Sequence, residues 1–204
     1  MEKFNPMDIL LFSRKPKMFD GLMIDYRLRL KQILLEKSYR EGTFTLTSGR
    51  TSDFYIDVKQ TALDAEGAFL LGHIIFDMLG NTLTEAVGGM TLGADPLVTA
   101  VSIASFMRNA PIPAFIVRKE AKGHGTANYI EGLKNMPPGC SVALLEDVTT
   151  TGGTLLKVIE RVKNLGFRIG KVITVVERQE GGMEALSDAG YILRSVFTRE
   201  ELLS

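Results

Sequence analysis

The chain has 204 residues, 45% hydrophobic and 24% charged, a composition that predicts one globular domain of ordinary size and excludes a disordered chain. Lysine plus arginine equals aspartate plus glutamate at 24 each, so the formal net charge is zero and neither a broad nucleic-acid surface nor a membrane surface is expected. The single cysteine, Cys140, excludes an intramolecular disulfide and any multi-cysteine metal site, and reads as an inert thiol in a reducing cytoplasm.

Residues 1–21 read as an N-terminal extension of unknown role, with two prolines and a basic cluster; Met18 and Met23 leave an over-called start as the alternative. Ile9–Phe12 is a short apolar run that precedes its basic cluster, the reverse of a secretory signal. No run approaches the roughly 18 apolar residues that span a bilayer, so a cytoplasmic location is expected. From Ile24, "IDYRLRLKQILLEKSY" has helical spacing, with Leu28, Ile33 or Leu35 and Tyr39 able to share a side. "FTLTSGRTSDFYIDV" reads as two extended pieces around a Ser-Gly turn. Asp64 is placed to cap a helix running to about Leu79, in which His73 has no second ligand near it and reads as a satisfied or solvated side chain.

Four strand-like segments follow: Ala86–Gly88, Ala114–Val117, Val142–Leu145 and Val172–Val176. Helical stretches near 96–108 and 153–165 lie between them. Strands alternating with helices predict an α/β fold with a parallel central sheet covered by helices on both faces. Ligands in such sheets sit beyond the carboxyl ends of the strands, so the residues after each strand carry the functional reading.

After Val142–Leu145 come Glu146, Asp147 and "VTTTGGT". Two adjacent carboxylates suit a diol, which donates a hydrogen bond to each. A Thr/Gly-rich turn opening a helix suits a phosphate, because its N–H groups and the helix dipole face outward. A ribose 5-phosphate satisfies both. "VALLEDVTTTGGT" closely resembles the phosphoribosyl pyrophosphate signature of the type I phosphoribosyltransferases.

"VRKEAKGHGTANYIEG", Val117–Gly132, concentrates Arg118, Lys119, Lys122 and His124 between glycines, a cationic loop suited to a polyanion. It is similar to the catalytic loop of the orotate phosphoribosyltransferases in particular. That resemblance implies a homodimer in which loop residues 119–124, through Lys119, Lys122 and His124, reach the neighbour's site, while Arg118 serves its own. "GGMTLGADPLV" matches the family's pyrophosphate loop, with Thr91, Gly93 and Ala94 as backbone contacts. "TLTSGRTSDFYID" resembles the orotate-contacting stretch, and "VVERQEGG" places Arg178 for the orotate carboxylate. Read without the resemblance, Phe54 and Tyr55 fit a core strand equally well and Arg178 fits a surface salt bridge. One position departs from the family: many members carry a lysine where this chain has Thr47, which bears on how tightly orotate is held.

Taken together, the resemblance implies an orotate phosphoribosyltransferase fold with a small hood, from about residues 22–60 and 178–204, within a phosphoribosyltransferase domain spanning 22–204. It implies catalytic roles for Lys122, His124 and Asp147. Phosphoribosyl pyrophosphate (PRPP) would be bound by Arg118, Lys119, Lys122 and His124. The run Glu146, Asp147, Val148, Thr149, Thr150, Thr151, Gly152, Gly153 and Thr154 would bind it as well. Orotate would be held by Phe54, Tyr55, Thr150 and Arg178. Mg²⁺ is the implied cofactor, held mainly through substrate and water with no direct protein ligand assigned. The reaction joins orotate to PRPP, giving orotidine 5′-monophosphate and pyrophosphate in pyrimidine biosynthesis. Two alternatives remain at this point: a phosphoribosyltransferase for another base, and a ligand-sensing gene regulator on the same fold. Zero net charge and a short N-terminal extension argue against the regulator.

Overall fold

The computed structural model describes residues 25–45, 51–80, 83–120 and 129–204. Thr47, Lys122, His124 and the extension 1–21 therefore lie outside the described residues, as does the Ser48–Gly49 turn.

The first described helix, α1 (Tyr26–Ile33), is capped by Asp25, whose side chain accepts from the N–H groups of Arg27 and Leu28. It runs into a π-helical turn, Leu34–Ser38, and the chain then becomes extended. Tyr39, expected on the helix, instead opens strand β1 (Tyr39–Thr45), which pairs antiparallel with β2 (Thr51–Ile56). Tyr39 stacks on Phe54 across this hairpin, at 6.0 Å between ring centroids, and that cross-strand contact outweighs helical propensity. A short helix, α2 (Lys59–Ala62), leads to α3 (Ala65–Leu79). Asp64 caps α3 as its sequence position predicts, accepting from Glu66 and Gly67 N–H.

The main sheet contains β3 (Ala86–Met90), β4 (Ala114–Val117), β5 (Ile130–Glu131), β6 (Ser141–Thr149), β7 (Arg168–Glu177) and β8 (Leu193–Thr198). Their order is β5-β4-β3-β6-β7-β8, parallel except for β5. Helices α4 (Asp95–Met107), α5 (Gly153–Asn164), α6 (Gly182–Asp188) and α7 (Arg199–Leu203) complete the chain. Alternation along β6 divides the core: Ala143 and Leu145 join one cluster with α1, α3 and α4, while Val142 and Leu144 join another with α5 and α6. On α5, Leu155, Val158, Ile159 and Val162 form the buried stripe. Helices therefore cover both faces, as an α/β doubly wound fold requires. Cys140 is buried, and burial, with Glu85 nearby, pushes its thiol pKa up.

Two boundaries differ from the sequence expectation. Leu193–Thr198, assigned there to the hood, is the parallel edge strand beside β7; Arg194 interrupts its apolar run and hides the pattern. The strand and the following helix both meet the N-terminal unit: Arg27 donates to Val196 O at 3.1 Å and pairs with Glu201 at 2.9 Å, and Arg199 pairs with Asp53 at 2.9 Å. The second difference concerns β6, which continues four residues past Leu145. Its pairing with β3 stops at Leu145, but pairing with β7 persists to Thr149. Glu146 and Asp147 thus belong to a strand with one edge released, not to the loop after it.

No helix among the described residues is long and apolar enough to cross a membrane.

Candidate active site

The chain reverses its direction of winding between β3 and β6: from β3 it proceeds outward to β4, and from β6 outward to β7 and β8. A crevice opens at such a switch point beyond the carboxyl ends of the strands. Into it run the released edge of β6, the turn Thr149–Gly152 before α5, and the loop Thr91–Ala94 before α4.

Glu146 is 7% exposed, and its Oε2 is buried with no hydrogen-bond partner. Burial first, and the adjacent Asp147 second, raise its pKa well above the ordinary glutamate value. A buried polar atom without a partner is costly, so a donor from outside is favoured there. Asp147 accepts from its neighbour's backbone, Val148 N–H, at 2.9 Å. Its carboxylate lies against Gly93: a Cβ on that glycine would sit 2.5 Å from the Asp147 Cγ. Only glycine allows the 91–94 loop to come this close to the acid pair. Thr91 Oγ1 donates to Asp95 Oδ2 at 2.8 Å, while Asp95 Oδ1 is buried without a partner.

The turn after β6 leaves polar groups without side-chain partners. Thr149 Oγ1 is buried and unpartnered. Gly152, at φ +78°, enters α5 with no side chain capping the helix, so the first-turn N–H groups have no side-chain acceptor. Helix α6 backs the turn from beneath: a Cβ on Gly152 would meet Leu186 Cδ2 at 2.6 Å, and one on Gly182 would meet Thr150 O at 2.8 Å.

At the end of β4, Arg118 and Lys119 line a cavity of about 420 Å³ together with Thr91, Asp95, Ile116, Glu120 and Glu131. Arg118 pairs with Glu131 at 3.0 Å. The β1–β2 hairpin packs against the segment after β7. Arg178, after β7, donates its backbone N–H to Thr149 O at 3.0 Å, and its guanidinium lies 4.1 Å from the Phe54 ring centroid. Arg199 lies over the same ring at 4.5 Å.

Residues 80–193 match the phosphoribosyl transferase domain model, more than half of the chain. An orotate phosphoribosyltransferase of Nostoc sp. is 47% identical over 176 residues, covering 86% of this chain and 84% of that protein. The chain belongs to the orotate phosphoribosyltransferase family. Among solved structures, the Mycobacterium tuberculosis orotate phosphoribosyltransferase in complex with Fe(III) dicitrate superimposes with a TM-score of 0.76 at 36% identity, covering 87% of this chain and 98% of that one. The same enzyme in complex with PRPP gives a TM-score of 0.73 at 32% identity, over 88% and 99% of the two chains. Membership places the protein among the pentosyltransferases, and its fold is that of the type I phosphoribosyltransferases.

Within this family fold, Asp147 meets Gly93 of the Thr91–Ala94 loop, the run from Thr149 to Thr154 forms the turn into α5, Val148 packs instead against the core, and Arg118 and Lys119 line the neighbouring cavity with Thr91. Phe54 and Tyr55 part company. Phe54 is 2% exposed and serves as a platform for Arg178 and Arg199, so its ring is a core element, whereas Tyr55 is 42% exposed. Arg178 is 3% exposed, with Nε donating to Glu180 at 2.7 Å. Lys122 and His124 lie outside the described residues.

Sequence reasoning missed Lys59 and Asp57. Lys59 Nζ lies 2.6 Å from Asp57 Oδ1 and 3.8 Å from Asp147 Oδ2, linking the hood to the acid pair. Burial works against its charge, but the Asp57 hydrogen bond and the Asp147 charge outweigh it and raise the lysine pKa. The motif "YIDVK" held no signal of this, since the approach to Asp147 is tertiary. Among the described residues no three His, Cys, Asp or Glu side chains group to hold a metal. A divalent ion at this site would therefore have to be held largely by substrate and water, with the Asp147 carboxylate beside it.

Proposed function

We propose that the protein transfers ribose 5-phosphate from PRPP to orotate, giving orotidine 5′-monophosphate and pyrophosphate, as a step of pyrimidine biosynthesis in the cytoplasm. The observation that carries this reading is the contact of Asp147 with Gly93, where an acid pair suited to a ribose diol meets a backbone loop suited to pyrophosphate. Glu146 and Asp147 accept from the ribose hydroxyls, giving Glu146 Oε2 its missing donor. The 5′-phosphate takes the N–H groups and hydroxyls of Thr149–Thr154 at the open end of α5.

As the bond at ribose C1′ breaks, positive charge grows on the sugar and negative charge on the departing pyrophosphate. The acid pair stabilises the first; Arg118 and Lys119, joined by Lys122 and His124, stabilise the second. Mg²⁺, when bound, adds charge neutralisation on the pyrophosphate. Orotate supplies its own nitrogen nucleophile, so the chain need only hold it. Tyr55 and Thr150 border its place, and the orotate carboxylate replaces Glu180 as partner of the Arg178 guanidinium.

The working unit in this reading is a homodimer sharing residues 119–124. Support comes from α4, where Ile103, Phe106 and Met107 form an exposed apolar face whose fitting occupant is a second copy of the chain. The test of the site is Asp147→Asn: kcat/KM for PRPP should fall about 10²–10³-fold with the fold retained. A change within twofold would remove Asp147 from the site.

A further inference from the structure

Arg161 belongs to α5, two turns beyond the proposed phosphate site, and nothing above gives it a role. Its guanidinium reaches across to the end of β4. One terminal nitrogen donates to Arg118 O at 2.6 Å and the other to Lys119 O at 3.1 Å. The same group lies 4.2 Å from the Tyr129 ring centroid. Tyr129 in turn accepts, through its backbone oxygen, the N–H of Arg118 at 2.6 Å. A single planar cation therefore grips both ends of the connection between β4 and β5. The planar fork suits two adjacent carbonyls and an aromatic face at once, which a lysine cannot reproduce.

We infer that Arg161 is a positioning residue for the cationic edge of the site: it fixes the backbone from which Arg118 and Lys119 project. Both are proposed pyrophosphate contacts, so the catalytic part of this inference rests on the function proposed above. The structural part does not. Because α5 begins at the phosphate turn and carries Arg161, one rigid helix sets the spacing between the two anion-binding ends of the site.

The carbonyls that Arg161 holds belong to the peptide bonds that trypsin cleaves after Arg118 and Lys119. Full-length wild type, Arg161→Met and Arg161→Lys should be digested briefly and cleavage at these two bonds followed by mass spectrometry, with cleavage after the exposed Lys134 as internal control. Arg161→Met is expected to raise the rate at Arg118 and Lys119 about tenfold relative to Lys134. Its melting temperature should stay near that of wild type. In kinetics, kcat/KM for PRPP should fall about tenfold or more while KM for orotate moves less than twofold. Arg161→Lys should recover only part of this.

An unchanged cleavage ratio in a folded Arg161→Met protein overturns the inference. Faster cleavage at all three sites with a lowered melting point also overturns it, by making Arg161 a general stabiliser. Should the wild type itself transfer no ribose phosphate to orotate, the functional proposal fails while the cleavage ratio still decides the role of Arg161.

Discussion

At the residue scale the decisive feature is a carboxylate held where it prefers a proton. The folded pKa of Glu146 is raised, so its contribution to stability is fully present below the unfolded value and lost as pH rises through the folded one. Glu146→Gln removes that titration. For the substrate-free protein, the melting temperature of the variant relative to wild type should therefore climb as pH increases from about 4.5 to 8. A constant difference across that range would show that Glu146 titrates normally. The same variant should lose about 10²-fold in kcat/KM, since an amide cannot carry the negative charge with which the acid pair is proposed to stabilise the growing positive charge on the sugar. Lys59 is a second test. Its ion pairs are partly exposed and contribute little to stability. Lys59→Met should leave the melting temperature nearly unchanged but raise KM for PRPP several-fold, about 3–10-fold by loss of a charge-assisted contact near Asp147. Unaltered PRPP kinetics would confine Lys59 to the hood.

At the level of elements, the turn between β6 and α5 is the part on which most else leans. Gly152 combines a positive φ with a backing contact to Leu186. Gly152→Ala should cost about 1–3 kcal/mol of stability from backbone strain and clash. It should also weaken PRPP binding, seen as a raised KM with orotate affinity intact. This turn was legible in the sequence because strand, acids, glycines and helix follow one another without a break. The hood was less so. The Ser-Gly turn between two extended pieces placed Phe54 in a strand pair, but whether its ring faces substrate or core depends on Arg178 and Arg199 arriving from distant segments. The extent of β6 was also hidden, since carboxylates read as strand breakers until β7 is known to pair with them. Lys59 and Arg161 were silent for the same reason: each acts through a tertiary approach that no local spacing encodes.

For the molecule as a whole, the sheet supplies a crevice; in the proposed function α5 and the 91–94 loop serve as its anion sites, and the N-terminal hairpin with Arg178 serves as the wall for the base. Shared loops would make the dimer a condition of activity. Mixing Lys122→Ala with Asp147→Asn subunits, each nearly inactive alone, should restore about a quarter of the wild-type rate, because half the dimers are mixed and each has one intact site. No recovery after confirmed subunit exchange would place each loop in its own subunit. Phe106→Glu, on the exposed face of α4, should shift sedimentation toward monomer and lower activity together; an unaffected dimer would move the interface elsewhere.

The central claim is the choice of base, because the acid pair and phosphate turn would serve any phosphoribosyl acceptor. The measurement that tests it most directly is loss of orotate absorbance with purified protein, PRPP and Mg²⁺, with uracil, hypoxanthine and adenine assayed in parallel. Consumption of orotate alone is the predicted result, and would show that Thr47 is compatible with orotate binding. Consumption of another base while orotate survives would contradict the account, leaving the fold and the PRPP site in place and moving the specificity of the hood.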